Sequence, residues 1–249
     1  MGINEINNSN DLADFLKSIN NNYTIVDVEV PVNIQMRYAK MLVKEKGNVI
    51  KDADLESVKD KLYDENISLS EKRKLLVRLS ESNNVAFFRV LEKYRERAPK
   101  ELKNWVVLAY QHSKVLLENS LLSEDRVLIS TGLGGRGDKL RYFFVLFAKD
   151  QAHPLTDWQK SIIQTELELL VKTKKTVELE YFEFAETYVK VKLLFPLVEK
   201  VQTVIQSLID NCNEIGNFMS SQFLATNVKV LSDEEIVMML KDRQEEGLI

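Results

Sequence analysis

Four of the chain's eight glycines, Gly132, Gly134, Gly135 and Gly137, fall within Ser130-Thr131-Gly132-Leu133-Gly134-Gly135-Arg136-Gly137-Asp138-Lys139. Glycine is entropically costly and is kept where φ must be positive or where something comes close to the backbone. Successive N–H groups in such a turn can form a concave cradle for an anion. Between positions 126 and 141, Arg126, Arg136, Lys139 and Arg141 stand against Asp138 alone, a local charge of +3 in a chain of net charge −4. Glu124 and Asp125 just upstream offset part of this excess. The pattern predicts an anion or ligand site at Ser130, Thr131, Gly132, Gly134, Gly135, Arg136, Gly137, Lys139 and Arg141. The competing reading is a β-hairpin whose glycines make a sharp turn beside solvated charges.

The flanking residues exclude the familiar glycine motifs. Val127-Leu128-Ile129 precedes the loop, and the aromatic, β-branched run Leu140 to Ala148 follows it, so the loop joins two strands. Gly132, Gly134 and Gly137 fit G-x-G-x-x-G, but a dinucleotide site needs a helix to open there. A Walker A loop fails because Asp138 stands where the lysine belongs and Lys139 comes one place late. A kinase loop would need His-Arg-Asp and Asp-Phe-Gly downstream, and neither occurs. Arg136-Gly137-Asp138 is treated as a chance tripeptide.

Other residues capable of chemistry have structural readings. Glu178 and Glu180 could form a carboxylate pair, but acid and base groups need distinct, partly buried environments, and Lys190 and Lys192 are their expected neighbours. His112 falls on an apolar helical stripe and reads as a boundary histidine. Cys212, the single cysteine, reads as a core residue, and one Cys with two His makes a metal site improbable. No catalytic residue and no cofactor is expected.

The elements that must position the loop follow from periodicity. Hydrophobic content of 45% with 29% charged residues is that of a globular chain, and 249 residues suffice for two small domains. No apolar run reaches membrane-span length, and Met1 to Asn8 lacks a secretory pattern; a cytoplasmic location is expected. Residues 1 to 10 read as loose, Asp11 to Ile19 as a short helix, and Thr24 to Pro31 as a brief strand. Helices follow at Ile34 to Lys44 and Ala53 to Tyr63. Ser68-Leu69-Ser70-Glu71 is a capping box that opens another, Asn83-Asn84 starts the next, and a third runs from Pro99 to about Leu122. Residues 68 to 122 resemble HEAT-type helical hairpins in helix length and leucine spacing, although no repeat period returns.

Beyond the glycine loop, Thr156-Asp157-Trp158-Gln159 caps a helix to Lys172. Val177, Leu179 and Tyr181 alternate with glutamates, and Val189, Val191 and Leu193 with lysines. A hairpin turning at Ala185 would pair Tyr181 with Val189 and set Glu180 against Lys190 and Glu178 against Lys192. A helix from Leu197 to Ile215, a strand at Asn227 to Leu231 and a helix capped by Ser232 complete the chain. The expected fold is α+β: a helical stack over 1–122, then over 123–249 a ferredoxin-like β-α-β-β-α-β sandwich with an extra N-terminal strand.

Three functions remain open. The first is a non-enzymatic binding or adaptor protein that recognises a protein partner or anionic ligand through the basic loop. The second is an enzyme or regulator that holds a phosphorylated small molecule or nucleotide there. The third is an RNA- or ribosome-associated factor.

Overall fold

The computed structural model describes residues 22–48, 50–123 and 125–245, so the readings for residues 1 to 10 and for Asp11 to Ile19 lie outside the described residues. The chain forms two compact units, 1–130 and 131–249. Its mixture of helix and sheet is α+β.

The first unit is helical: α1 (Val32–Glu45), α2 (Leu55–Tyr63), α3 (Leu69–Ser80), α4 (Val85–Arg97) and α5 (Lys103–Leu122). Ser68 accepts from the Glu71 N–H and Asn84 from the Ala86 N–H, so α3 and α4 begin where their capping residues predict. Leu76, Leu79, Phe87, Leu91, Tyr94 and Trp105 form its core. The strand expected to lead the α+β half, β2 (Val127–Ile129), belongs here instead. It pairs in parallel with β1 (Tyr23–Ile25), which moves the division of the chain to Ser130 rather than 122.

The second unit contains β3 (Gly135–Arg136), β4 (Lys139–Ala148), α6 (Asp157–Thr173), β5 (Glu178–Phe184), β6 (Tyr188–Pro196), α7 (Val201–Gly216), β7 (Met219–Thr226) and α8 (Asp233–Glu245). The sheet runs β3-β4-β6-β5, with β7 also on β4, and each pairing is antiparallel. One face carries Phe144, Val189, Val191 and Phe195 against the apolar stripes of α6 and α7. The other carries Phe143, Val145 and Phe147 under Leu133 and under Ile236 and Leu240 of α8.

Two expectations are corrected. The last strand is Met219–Thr226, not Asn227 to Leu231. Ser220, Ser221 and Gln222 mask its alternation, while the Asn227 carbonyl is taken by the Leu133 N–H and the Val228 N–H by the Thr226 hydroxyl. The β5–β6 hairpin forms, but in another register: Phe182 faces Val191, Phe184 faces Val189 and Glu183 faces Lys190. The register shifts between Leu179 and Tyr181, which brings Phe182 and Phe184 onto the face packed by helices. Such a bulge re-aims side chains: Glu178 faces Leu194, and Glu180 falls at the irregularity itself.

Candidate functional site

The glycine loop is a packed hairpin. Residues Gly132 to Gly135 are buried, and only Arg136 to Asp138 form an exposed tip. Arg136 and Lys139 are paired across a two-residue connection whose first member, Gly137, has φ +61°. That conformation suits glycine. Gly134 has φ +64°, and a Cβ on Gly132 would lie 1.7 Å from the Val228 carbonyl oxygen. The Leu133 N–H donates to Asn227 O at 2.9 Å, the Gly134 N–H to Thr131 O at 3.2 Å, and the Thr131 hydroxyl to Gly134 O at 3.2 Å. These groups face other backbone, not a ligand. Ser130 ends the helical unit, and its hydroxyl is buried with no partner among the described residues.

The loop's cations are matched by the two displaced glutamates. Arg136 pairs with Glu178, and Lys139 donates to the other Glu178 oxygen at 2.5 Å. Arg141 grips both oxygens of Glu180, at 2.5 and 2.8 Å, and donates to Leu133 O at 2.6 Å. Lys139 and then Arg136 hold the Glu178 carboxyl below its usual range, and Arg141 does the same for Glu180. Fork-shaped pairs of this kind are strong and directional. The loop's glycines and cations are neighbours in sequence, whereas the anions lie about forty positions away on β5 and carry no local mark.

A second polar cluster lies in the helical unit. Tyr38 of α1, Ser80 of α3 and His112 of α5 meet, with Tyr38 Oη 2.8 Å from Ser80 Oγ and His112 Nδ1 3.2 Å from it. His112 Nε2 faces Glu81 at 3.6 Å. The order Ser-His-Glu resembles a nucleophile triad. Ser80, however, is fully buried and its hydroxyl is directed at Val77 O at 2.7 Å, so no substrate reaches it. Burial lowers the His112 pKa, against the opposing pull of Glu81, and raises that of Tyr38. The cluster satisfies buried polar groups between helices.

Two further reactive groups are engaged. Cys212 is buried, its thiol pushed up to about 12, first by desolvation. Lys190, on a central strand, is nearly buried beneath α8 and pairs with Asp233 at 2.9 Å and Glu183 at 3.2 Å. Burial pulls its pKa down, but these two carboxylates outweigh it. Tyr188 also donates to Asp233, at 2.7 Å. Among the described residues, no cluster of His, Cys, Asp or Glu could hold a metal ion. No helix among them is long and apolar enough to cross a membrane.

A cavity of about 450 Å³ lies in the second unit, between the start of α7 and β7. Gln202, Gln206, Ser221, Gln222, Thr226 and Asn227 supply neutral amides and hydroxyls around it. Tyr142 and Phe223 contribute aromatic wall, and no charged side chain lines it. This size and mixture suit a small organic group held by a few polar contacts. The only trace in the sequence is the uncharged run from Ile215 to Val228.

No protein-family model and no curated protein sequence matches the chain. A solved structure, a REP-associated tyrosine transposase bound to a REP hairpin, is similar to it over 44% of this chain and 69% of that one, with 9% identity and a TM-score of 0.32.

Proposed function

We propose that this is a binding or adaptor protein whose recognition site is the uncharged cavity beside β7. The second unit is read as a ferredoxin-like sandwich from its strand-helix-strand-strand-helix-strand order, and the first as an antiparallel helical stack. The observation that carries the proposal is the lining. Amide-, hydroxyl- and aromatic-bearing residues, none of them charged, border one opening. Amides both donate and accept, so the site selects a neutral group with hydrogen-bonding capacity and disfavours an ion that would enter without a countercharge.

A second reading keeps the basic loop as an anion site. It is favoured by the openness of the tip: the Arg136 side chain is 59% exposed and that of Glu178 39%, so a phosphate-bearing ligand or RNA backbone could replace Glu178. A thermal-shift screen separates the two. Nucleosides, neutral sugars, acetamide, inorganic phosphate and a short RNA are tested on wild type, Ala225→Trp and an Arg136→Ala/Lys139→Ala double variant. Binding to the native state raises the melting temperature. A rise for a neutral compound that disappears in Ala225→Trp supports the cavity. A rise confined to phosphate or RNA, lost only in the loop variant, contradicts it.

A further inference from the structure

The sheet has two open edges, and they differ in a way that points to one occupant. β5 carries Glu178, Glu180 and Glu183 within seven residues. Charges on an edge strand block pairing with other chains. β7 has no charged residue and no proline over its eight residues, and the uncharged run extends to Val228. Among the described residues, no strand pairs with its outer side. Alternate residues of such a strand turn their N–H and C=O groups outward, a template for an added strand; those of Met219 are taken by the Asn213 side chain, which leaves residues 221–225 as the open part. Ser221, Gln222 and Ala225 are exposed along it.

We infer that β7 takes up an extended, uncharged segment of a partner protein as an additional strand, with one of its side chains seated in the neighbouring cavity. This rests on the cavity being the recognition site and specifies what enters it. Main-chain hydrogen bonds supply affinity, and the pocket reads one side chain. The lining favours a side chain ending in an amide or hydroxyl, because a charged one would be desolvated without a countercharge.

The test uses the full chain and a phage-displayed library of random peptides about twelve residues long, enough to span β7. Selected peptides are synthesised in two forms, N-methylated at one or the other set of alternate residues. Methylation removes main-chain donors without changing side chains. An added strand bonds along one edge only, so one form should lose affinity about tenfold or more while the other binds almost normally. Binding should also slow amide exchange within Met219–Thr226 and be lost in Ala225→Trp. Equal binding of both forms, with binding still lost in Ala225→Trp, overturns strand addition and leaves the cavity reading intact. Undiminished binding to Ala225→Trp overturns both. Recovery of no peptide, or concentration-dependent dimerisation that protects β7, overturns the partner segment.

Discussion

Replacing Gly132 with alanine should destabilise the second unit far more than the same change at Gly137, although both belong to one glycine-rich loop. A Cβ on Gly132 would stand 1.7 Å from Val228 O, 2.5 Å from its carbonyl carbon and 2.7 Å from its Cα. All three are backbone atoms, so no side chain can rotate away. The segments must separate by more than about 1 Å, straining the Leu133 N–H to Asn227 O bond. Overpacking costs about 1–3 kcal/mol, and a weakened hydrogen bond adds about 1 kcal/mol; with three backbone atoms in the way the upper part of the first range applies, so a loss of about 3–4 kcal/mol is expected. At several degrees per kcal/mol for a unit of this size, its calorimetric transition should fall by roughly 10–15 °C. At Gly137 a Cβ meets nothing within 4 Å, leaving only the left-handed strain of about 1–2 kcal/mol. A Gly132→Ala protein within about 0.5 kcal/mol of wild type would refute the argument that close packing retains this glycine.

Further outcomes concern the charged and titrating groups. Glu180 titrates below its usual range because of Arg141, so its stabilisation is present above the unfolded carboxyl value of about 4.3 and is lost as pH falls through the lower folded value. Arg141→Gln should cost about 2 kcal/mol at neutral pH and give a shallower loss of stability between about pH 5 and 3 than wild type; parallel urea-midpoint profiles would contradict this. Burial keeps His112 neutral, so the unfolded chain takes up its proton first and the helical unit should weaken as pH drops below about 6.5. The buried Trp105, 5.7 Å from Tyr38, reports this unit by fluorescence in a Trp158→Phe background; a midpoint that holds steady from neutral to mildly acidic pH, or does not differ from His112→Leu, contradicts the assignment. Asp233→Asn removes the carboxylate that holds Tyr188 and Lys190 to α8, and amides near Ile236 and Leu240 should exchange about tenfold faster; unchanged rates would mean that apolar contacts alone hold the helix.

The fold was legible where one local signal decided the structure. Ser68, Thr156 and Ser232 each accept from the N–H three residues on, as their capping motifs imply. The β5–β6 hairpin was legible as a pair of strands but not in register. Val189, Val191 and Leu193 alternate cleanly, yet the shift between Leu179 and Tyr181 depends on Phe182 and Phe184 finding the helical layer, a tertiary preference with no local mark. The same shift explains why the loop's cations looked unmatched, since Glu178 and Glu180 reach Arg136, Lys139 and Arg141 only once that register is set. β7 was misplaced because its polar Ser220-Ser221-Gln222 segment resembles a loop. The cavity draws Tyr142, Gln202, Gln206 and Asn227 from separated elements, and no spacing rule joins them.

On the function proposed, recognition resides in the uncharged cavity at the β7 edge and not at the basic loop. The most direct measurement is the affinity of one selected peptide for wild type, for Ala225→Trp and for the Arg136→Ala/Lys139→Ala double variant, with each fold verified by circular dichroism. The account predicts a loss of about tenfold or more in Ala225→Trp and wild-type affinity in the loop variant. The opposite pattern, with affinity lost on removing the cations and retained on filling the cavity, would contradict it.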